Sequence, residues 1–174
     1  MGTGFTSAGS RILAVAVGLA CAAMLSLLVA SSASAATTLH FFDKQVSSTF
    51  RGPNGQPLGP NAVPAVGDSF DNTDLYYVGN HKHHAKAWTA SGHLVCTFTS
   101  ITGPMSGTAT CDGQIALGGS MLLAENAKLT FSASPTVVVP ITGGTGNFRG
   151  AHGHVKSTSI GKTNNSDITV TFSG

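Results

Sequence analysis

The sequence predicts an all-β protein, a single eight-stranded antiparallel β-barrel behind an N-terminal secretory signal peptide, and three observations carry that reading. From residue 36 onward apolar and polar residues alternate with period two in run after run, and no stretch sustains a 3.6-residue period. Charged residues make up only 9% of the chain, while Thr, Ser, Gly and Val abound, which is the composition of an exported β protein. Finally, the stretch Ile141 to Val155 carries glycine at 143, 144, 146, 150 and 153 and joins two strand-like runs. One is Thr136-Val137-Val138-Val139; in the other His152, His154 and Lys156 alternate with Gly153, Val155 and Ser157. So many glycines mark a strand-to-strand corner pressed against the rest of the fold.

The first 35 residues read as a secretory leader. Arg11 precedes an apolar run from Ile12 to Ala30, and Ala33-Ser34-Ala35 supplies an A-x-A cleavage site. An uncleaved anchor is the alternative, because the run approaches bilayer-spanning length. A lipoprotein reading at Cys21 is weaker, since Gly18 stands where an apolar residue is usual. Cleavage leaves residues 36–174 as one domain of 139 residues, long enough for a real core. Eight Lys and Arg and seven Asp and Glu are scattered through it. That balance gives no footprint for nucleic acid, and no membrane partner is expected once the leader is gone.

The first strand starts at Thr37, with Leu39, Phe41 and Asp43 on one face and His40, Phe42 and Lys44 on the other. Residues 51–66 hold four of the seven prolines and three glycines, which excludes both a helix and a central strand. A connection of that length is a lid or rim loop, or else a mobile segment. Further strands are expected near 67–78, 82–100, 105–117, 120–131, 135–141, 151–160 and 166–172, with turns where Gly, Pro and Asn collect. Ser120 to Leu129 contains helix formers and is the weakest strand by pattern. Eight antiparallel strands close into a barrel whose interior is filled by side chains or holds one small ligand.

Loss of the leader removes Cys21 and leaves Cys96 and Cys111, an even pair in an exported chain. A hairpin turning at Gly103-Pro104 places opposite each other residues whose numbers sum to 207. Cys96 and Cys111 meet that condition, so a disulfide between them is expected.

Candidate chemistry falls on histidines and aspartates. His81 and His83 share a strand face, as do His152 and His154, so a metal site of imidazoles is one reading and solvated strand ends the other. Glu125, the only glutamate, is far from both groups, and the expectation is that no metal and no other cofactor is bound. Gly144-Thr145-Gly146 after a strand has the look of a dinucleotide turn, but no helix follows and no acidic residue lies about twenty positions on. Among Asp43, Asp68, Asp71 and Asp74, the residues Asp68 and Asp71 fit turn caps. Asp43 follows Leu39 and Phe41 on the inward face, where an apolar interior would raise its pKa and suit it to acid or base work.

Ile141, Thr142, Gly143, Gly144, Gly146, Phe148, Gly150, Ala151, Gly153 and Val155 together resemble the signature corner of the allene oxide cyclase and dirigent proteins, which share a β-barrel. Leu39 through Gln45 is similar to the first strand of plant allene oxide cyclases, in which a glutamate and, two residues on, an asparagine orient the substrate through a water. Asp43 and Gln45 occupy those places with altered side-chain length, which implies catalytic positions. Asn72 is the nearest match to a further asparagine that shares the water, and Phe131 falls where the cyclases have an aromatic cavity residue. Phe41, Asn72 and Phe131 are accordingly the candidate substrate-binding residues.

The resemblance implies a secreted barrel that binds one hydrophobic small molecule, folds it for cyclisation or isomerisation, or directs its stereochemistry. It also implies a homo-oligomer, a trimer or dimer. The competing reading is a non-catalytic carrier or a secreted structural protein. Fold and activity are separate questions here.

Overall fold

A computed structural model describes residues 35–59, 62–103 and 106–174, so the signal-peptide reading lies, but for Ala35, outside the described residues. Strands form where the alternation runs: β1 (Thr37–Arg51), β2 (Ser69–Asn80), β3 (His83–His84), β4 (Ala90–Gly103) and β5 (Ser106–Leu117). They continue as β6 (Ser120–Phe131), β7 (Thr136–Ile141), β8 (Gly143–Gly144), β9 (His152–Ser159) and β10 (Ser166–Ser173). All pairings are antiparallel, in the order β7-β9-β10-β1-β2-β4-β5-β6-β8, with β3 paired to β2 off that path.

The first and last members of that order, β7 and β8, are separated only by Thr142. Val139 pairs with Val155 of β9, whereas Gly143 pairs with Leu123 of β6, and the Thr142 amide donates to the Leu123 carbonyl at 2.8 Å. One corner therefore joins both edges of the sheet and closes the barrel, which leaves few unpaired strand groups to solvent. Two glycines permit the corner. A Cβ on Gly144 would lie 2.2 Å from the Phe148 carbonyl oxygen, and one on Gly153 would lie 2.0 Å from that of Thr171.

Eight long strands stand where eight were expected, but nine strands follow one another round the barrel because the corner splits the seventh. A second difference concerns residues 82–100, which do not form one strand. Gly79, at φ 117°, turns β2 into a tight hairpin in which it pairs with His84, and β4 begins only at Ala90. The hairpin folds onto the outer wall, where the His84 ring stacks on Phe42 at 4.6 Å. Ser120–Phe131 is a strand despite its helix formers; Asn126, at φ 50°, accommodates a register shift, and its amide donates to Asp112 Oδ1 at 2.8 Å.

Side chains on the inner face build two apolar clusters. Phe41, Tyr76, Ile115, Leu122, Ile168 and Val170 plug one end of the barrel. Phe98, Ala109, Leu129, Cys96 and Cys111 form the second cluster towards the other end. Each large side chain so buried contributes about 1.5–3 kcal/mol. Cys96 and Cys111 are directly paired and joined by a disulfide. The hairpin tip in fact pairs Gly103 with Ser106, and register shifts after Ile101 and Phe98 bring the two cysteines opposite each other.

Candidate functional site

Above the plug the interior is not filled: a cavity of about 490 Å³ lies between the two ends, lined mainly by apolar side chains including Phe70, Phe98, Leu129, Phe131 and Val139. Val63 and Pro64 of the proline-rich loop, with Asn164 of the β9–β10 turn, contribute to its lining. The loop is anchored at its ends rather than adrift. The Leu58 amide donates to the Phe50 carbonyl at 2.8 Å, and the buried Asp68 caps its own turn by accepting from the Ala65 amide at 2.7 Å.

The polar residues of the cavity come from β1 and β2. On β1, Asp43 and Gln45 face inward by period two, and a bulge at Val46, which is 59% exposed, resets the phase so that Ser48 and Phe50 also line the cavity. On β2 the inward set is Asn72, Asp74 and Tyr76. The register places Asp43 opposite Tyr76 and Gln45 opposite Asp74, so Asp43 and Asp74 are diagonal neighbours one step above the stacked rings of Phe41 and Tyr76.

These side chains form one directed chain. Gln45 Nε2 donates to Asn72 Oδ1, and Asn72 Nδ2 donates to Asp74 Oδ2 at 2.6 Å. Asp43 lies beside Asp74 as its diagonal neighbour across the two strands. Both are buried, Asp74 at 5% and Asp43 at 7% exposure, and the Oδ1 atom of each has no hydrogen-bond partner among the described residues. Two buried carboxyl groups so placed repel each other as anions, which favours a proton on one of them.

Burial raises the Asp43 carboxyl to about 8, helped by the charge of Asp74 and then by the bond to it. Burial raises Asp74 only to about 6, because bonds from Asn72 and Asp43 and the nearby His93 oppose it. Asp74, which accepts from Asn72, is thus the better anion of the two and Asp43 the better proton holder. Burial first, then both carboxylates, push the Tyr76 phenol well above its ordinary range, so it stays protonated. Gly92 gives that phenol its place: a Cβ there would sit 2.1 Å from the hydroxyl oxygen.

Of the residues singled out from the sequence, Asp43, Gln45 and Asn72 come together in this chain, and Phe131 lines the apolar part of the same cavity. Phe41 is not at the wall; it lies beneath it, 3% exposed and stacked on Tyr76 at 5.8 Å. Asp71 is no turn cap but an outer residue of β2, 3.6 Å from His93. Asp74 was one of four candidate carboxylates without a role of its own, and Tyr76 was not singled out, although their two-residue steps from Asn72 were the available signal. The two histidine groups lie on the outside: His81 binds Asp167, its backbone amide donating at 2.7 Å, and His152 is 3.1 Å from the Ser173 hydroxyl. Among the described residues no group of three or more His, Cys, Asp or Glu side chains could hold a metal ion.

No family model matches the chain, and no curated protein matches it in sequence. Solved structures do. A pyocyanin demethylase superposes with a TM-score of 0.60 at 20% identity, over 79% of this chain and 100% of that one. A pterocarpan synthase dirigent protein superposes with a TM-score of 0.50 at 18% identity, over 79% of this chain and 92% of that one. The chain has the dirigent-type barrel fold. The likeness bears out the barrel fold that the glycine corner led one to expect, and at these identities it speaks for the fold alone.

Proposed function

We propose that this barrel binds one largely apolar small molecule and moves a proton within it, as an isomerase or cyclase does. The observation that carries the reading is the buried Asp43–Asp74 pair at the end of an apolar cavity large enough for a small ligand. Two carboxyl groups in different environments divide acid and base roles between them. Both carboxyls line the cavity, and the Oδ1 atom of each accepts from no donor among the described residues. Asp43 accepts a proton from the bound molecule while the proton it carries passes to the neighbouring Asp74. Return of a proton to a different atom completes an isomerisation without any oxidant or reductant. Positioned proton transfer of this kind accelerates reactions by about 10²–10⁴-fold, and the apolar walls add orientation.

The reading is supported by the names of two proteins with a similar fold, a pyocyanin demethylase and a pterocarpan synthase dirigent protein. Export is part of the proposal: a disulfide in the core and a leader-like N-terminal sequence support it. Native mass spectrometry of the protein taken from its own secretions would identify a bound molecule. Incubating that molecule with the protein in D₂O should then place deuterium on one of its carbons, and Asp43→Asn should stop the exchange. A ligand retained without exchange or rearrangement would make the barrel a carrier.

A further inference from the structure

We propose that the ligand meets the Asp43–Asp74 pair with a hydrogen-bond donor, an O–H or N–H group that is neutral or positively charged, and that carboxylates and other anions are excluded. The inference rests on the cavity-binding reading above and adds the chemical class of the molecule.

Charge is the first argument. Among the described residues, the ionisable ones that line the cavity are Asp43, Asp74, Tyr76 and His93, with no Lys or Arg. An anion taken into an apolar interior needs a cation or several donors to replace its water, and here it would meet a buried carboxylate instead. His93 does not supply that cation, because its ring is directed to Thr73, at 3.3 Å, and to the outer Asp71, at 3.6 Å.

Hydrogen-bond direction is the second argument. The amide donors nearest the pair already serve the chain: Gln45 donates to Asn72, and Asn72 donates to Asp74. What remains without a donor among the described residues is an acceptor on each cavity-lining carboxyl, Asp43 Oδ1 and Asp74 Oδ1, on side chains more than nine-tenths buried. A buried acceptor without a donor is costly, and a ligand O–H or N–H relieves that cost. An ether or ester oxygen pointed at the same spot would not.

Protonation of the pair makes the class testable. With Asp74 near 6 and Asp43 near 8, the pair is neutral below pH 6, carries one negative charge between, and carries two above pH 8. The groups facing it are Tyr76, which stays neutral, and His93 with Asp71 behind it. A cationic ligand should therefore bind more tightly as pH rises from 5 to 8, while a neutral ligand without a donor should not change.

Four probes on one ring system test this by titration calorimetry at pH 7: 2-naphthol, 2-naphthylmethylamine, 2-methoxynaphthalene and 2-naphthoate. The naphthol and the ammonium should bind about tenfold or more tightly than the methoxy compound, and the carboxylate should not bind measurably. In Asp43→Asn/Asp74→Asn these differences should shrink to about threefold or less. Should that variant fail to fold, the pH series on the unaltered protein decides instead. Binding of the methoxy compound with no gain from either donor would leave the cavity reading standing and overturn the ligand class, as would tight binding of the carboxylate. If none of the four binds, both fall together.

Discussion

Asn72 gives one amide N–H to Asp74 Oδ2 at 2.6 Å, and that donor distinguishes two otherwise similar buried carboxyl groups. Without it, Asp43 and Asp74 would differ little, both being inward and buried in one apolar interior. With it, Asp74 is the better anion and Asp43 keeps the proton. Gln45 fixes the polarity by donating to Asn72 Oδ1, which turns the Nδ2 group toward Asp74. Four side chains on two neighbouring strands thus set a protonation state.

That state has a pH signature in stability. Both carboxyls are raised from 3.8, Asp43 to about 8 and Asp74 to about 6, so the folded protein binds more protons than the unfolded chain between pH 4 and 8. Their stabilising contribution is fully present below pH 4 and is lost as pH rises through 6 and then 8, by an amount on the order of several kcal/mol. Urea unfolding at pH 5, 6.5 and 8 should show a falling midpoint. A midpoint that is flat or rising over that range would contradict the buried pair.

Asp43→Asn should separate stability from function. The amide can donate to Asp74 without ionising, so at pH 8 the variant should be more stable by about 1–3 kcal/mol. Loss of the cavity-facing carboxyl should lower turnover of a bound substrate by about 10²–10³-fold. Unfolding of the variant would mark Asp43 as a structural residue, and unchanged turnover would remove it from the mechanism.

How far the sequence could be read follows from what each signal depends on. Period-two alternation placed Asp43 inward because no bulge intervenes between Leu39 and Gln45, and the glycine corner was visible because close backbone approach admits little else. Phase was lost where a bulge resets it: Val46 moves the inward set from odd to even numbers, so Ser48 and Phe50 were not seen as cavity residues. Asp74 was present in the sequence as one of four aspartates. Its importance depends on the β1–β2 register, which local pattern does not encode, since sliding β2 by two residues would keep every face and break the pair. The break between β3 and β4 was missed because Ala85-Lys86-Ala87-Trp88-Thr89 carries no glycine, proline or asparagine to mark it.

Peptide mapping without reduction should recover Cys96 linked to Cys111, which are fifteen residues apart and fully buried. Replacing both with Ala should cost on the order of 3 kcal/mol, the effect of a cross-link closing a loop of that size. The fold should survive, because Phe98, Ala109 and Leu129 pack around the same position. Free thiols at both positions in secreted protein would remove the cross-link and weaken the case for export.

The last prediction tests the floor of the cavity through a residue with no side chain. A Cβ on Gly92 would lie 2.1 Å from the Tyr76 hydroxyl oxygen and 2.6 Å from the ring carbon that bears it. The ring has little room to retreat, being 7% exposed and stacked on Phe41 at 5.8 Å. Gly92→Ala should therefore destabilise the barrel by about 1–3 kcal/mol, the range for overpacking a well-filled interior. Because Gly92 pairs with Asp74, the displaced phenol should also disturb the carboxyl pair and weaken ligand binding. Adding Tyr76→Phe removes the nearest atom and should restore part of the stability but not all, since the ring carbon still crowds. Gly143→Ala is the control: its Cβ would meet nothing within 4 Å, and the change should stay within about 0.5 kcal/mol. Equal midpoints for Gly92→Ala and Gly143→Ala in urea would mean that Tyr76 does not stand against Gly92, and the floor of the site would have to be redrawn.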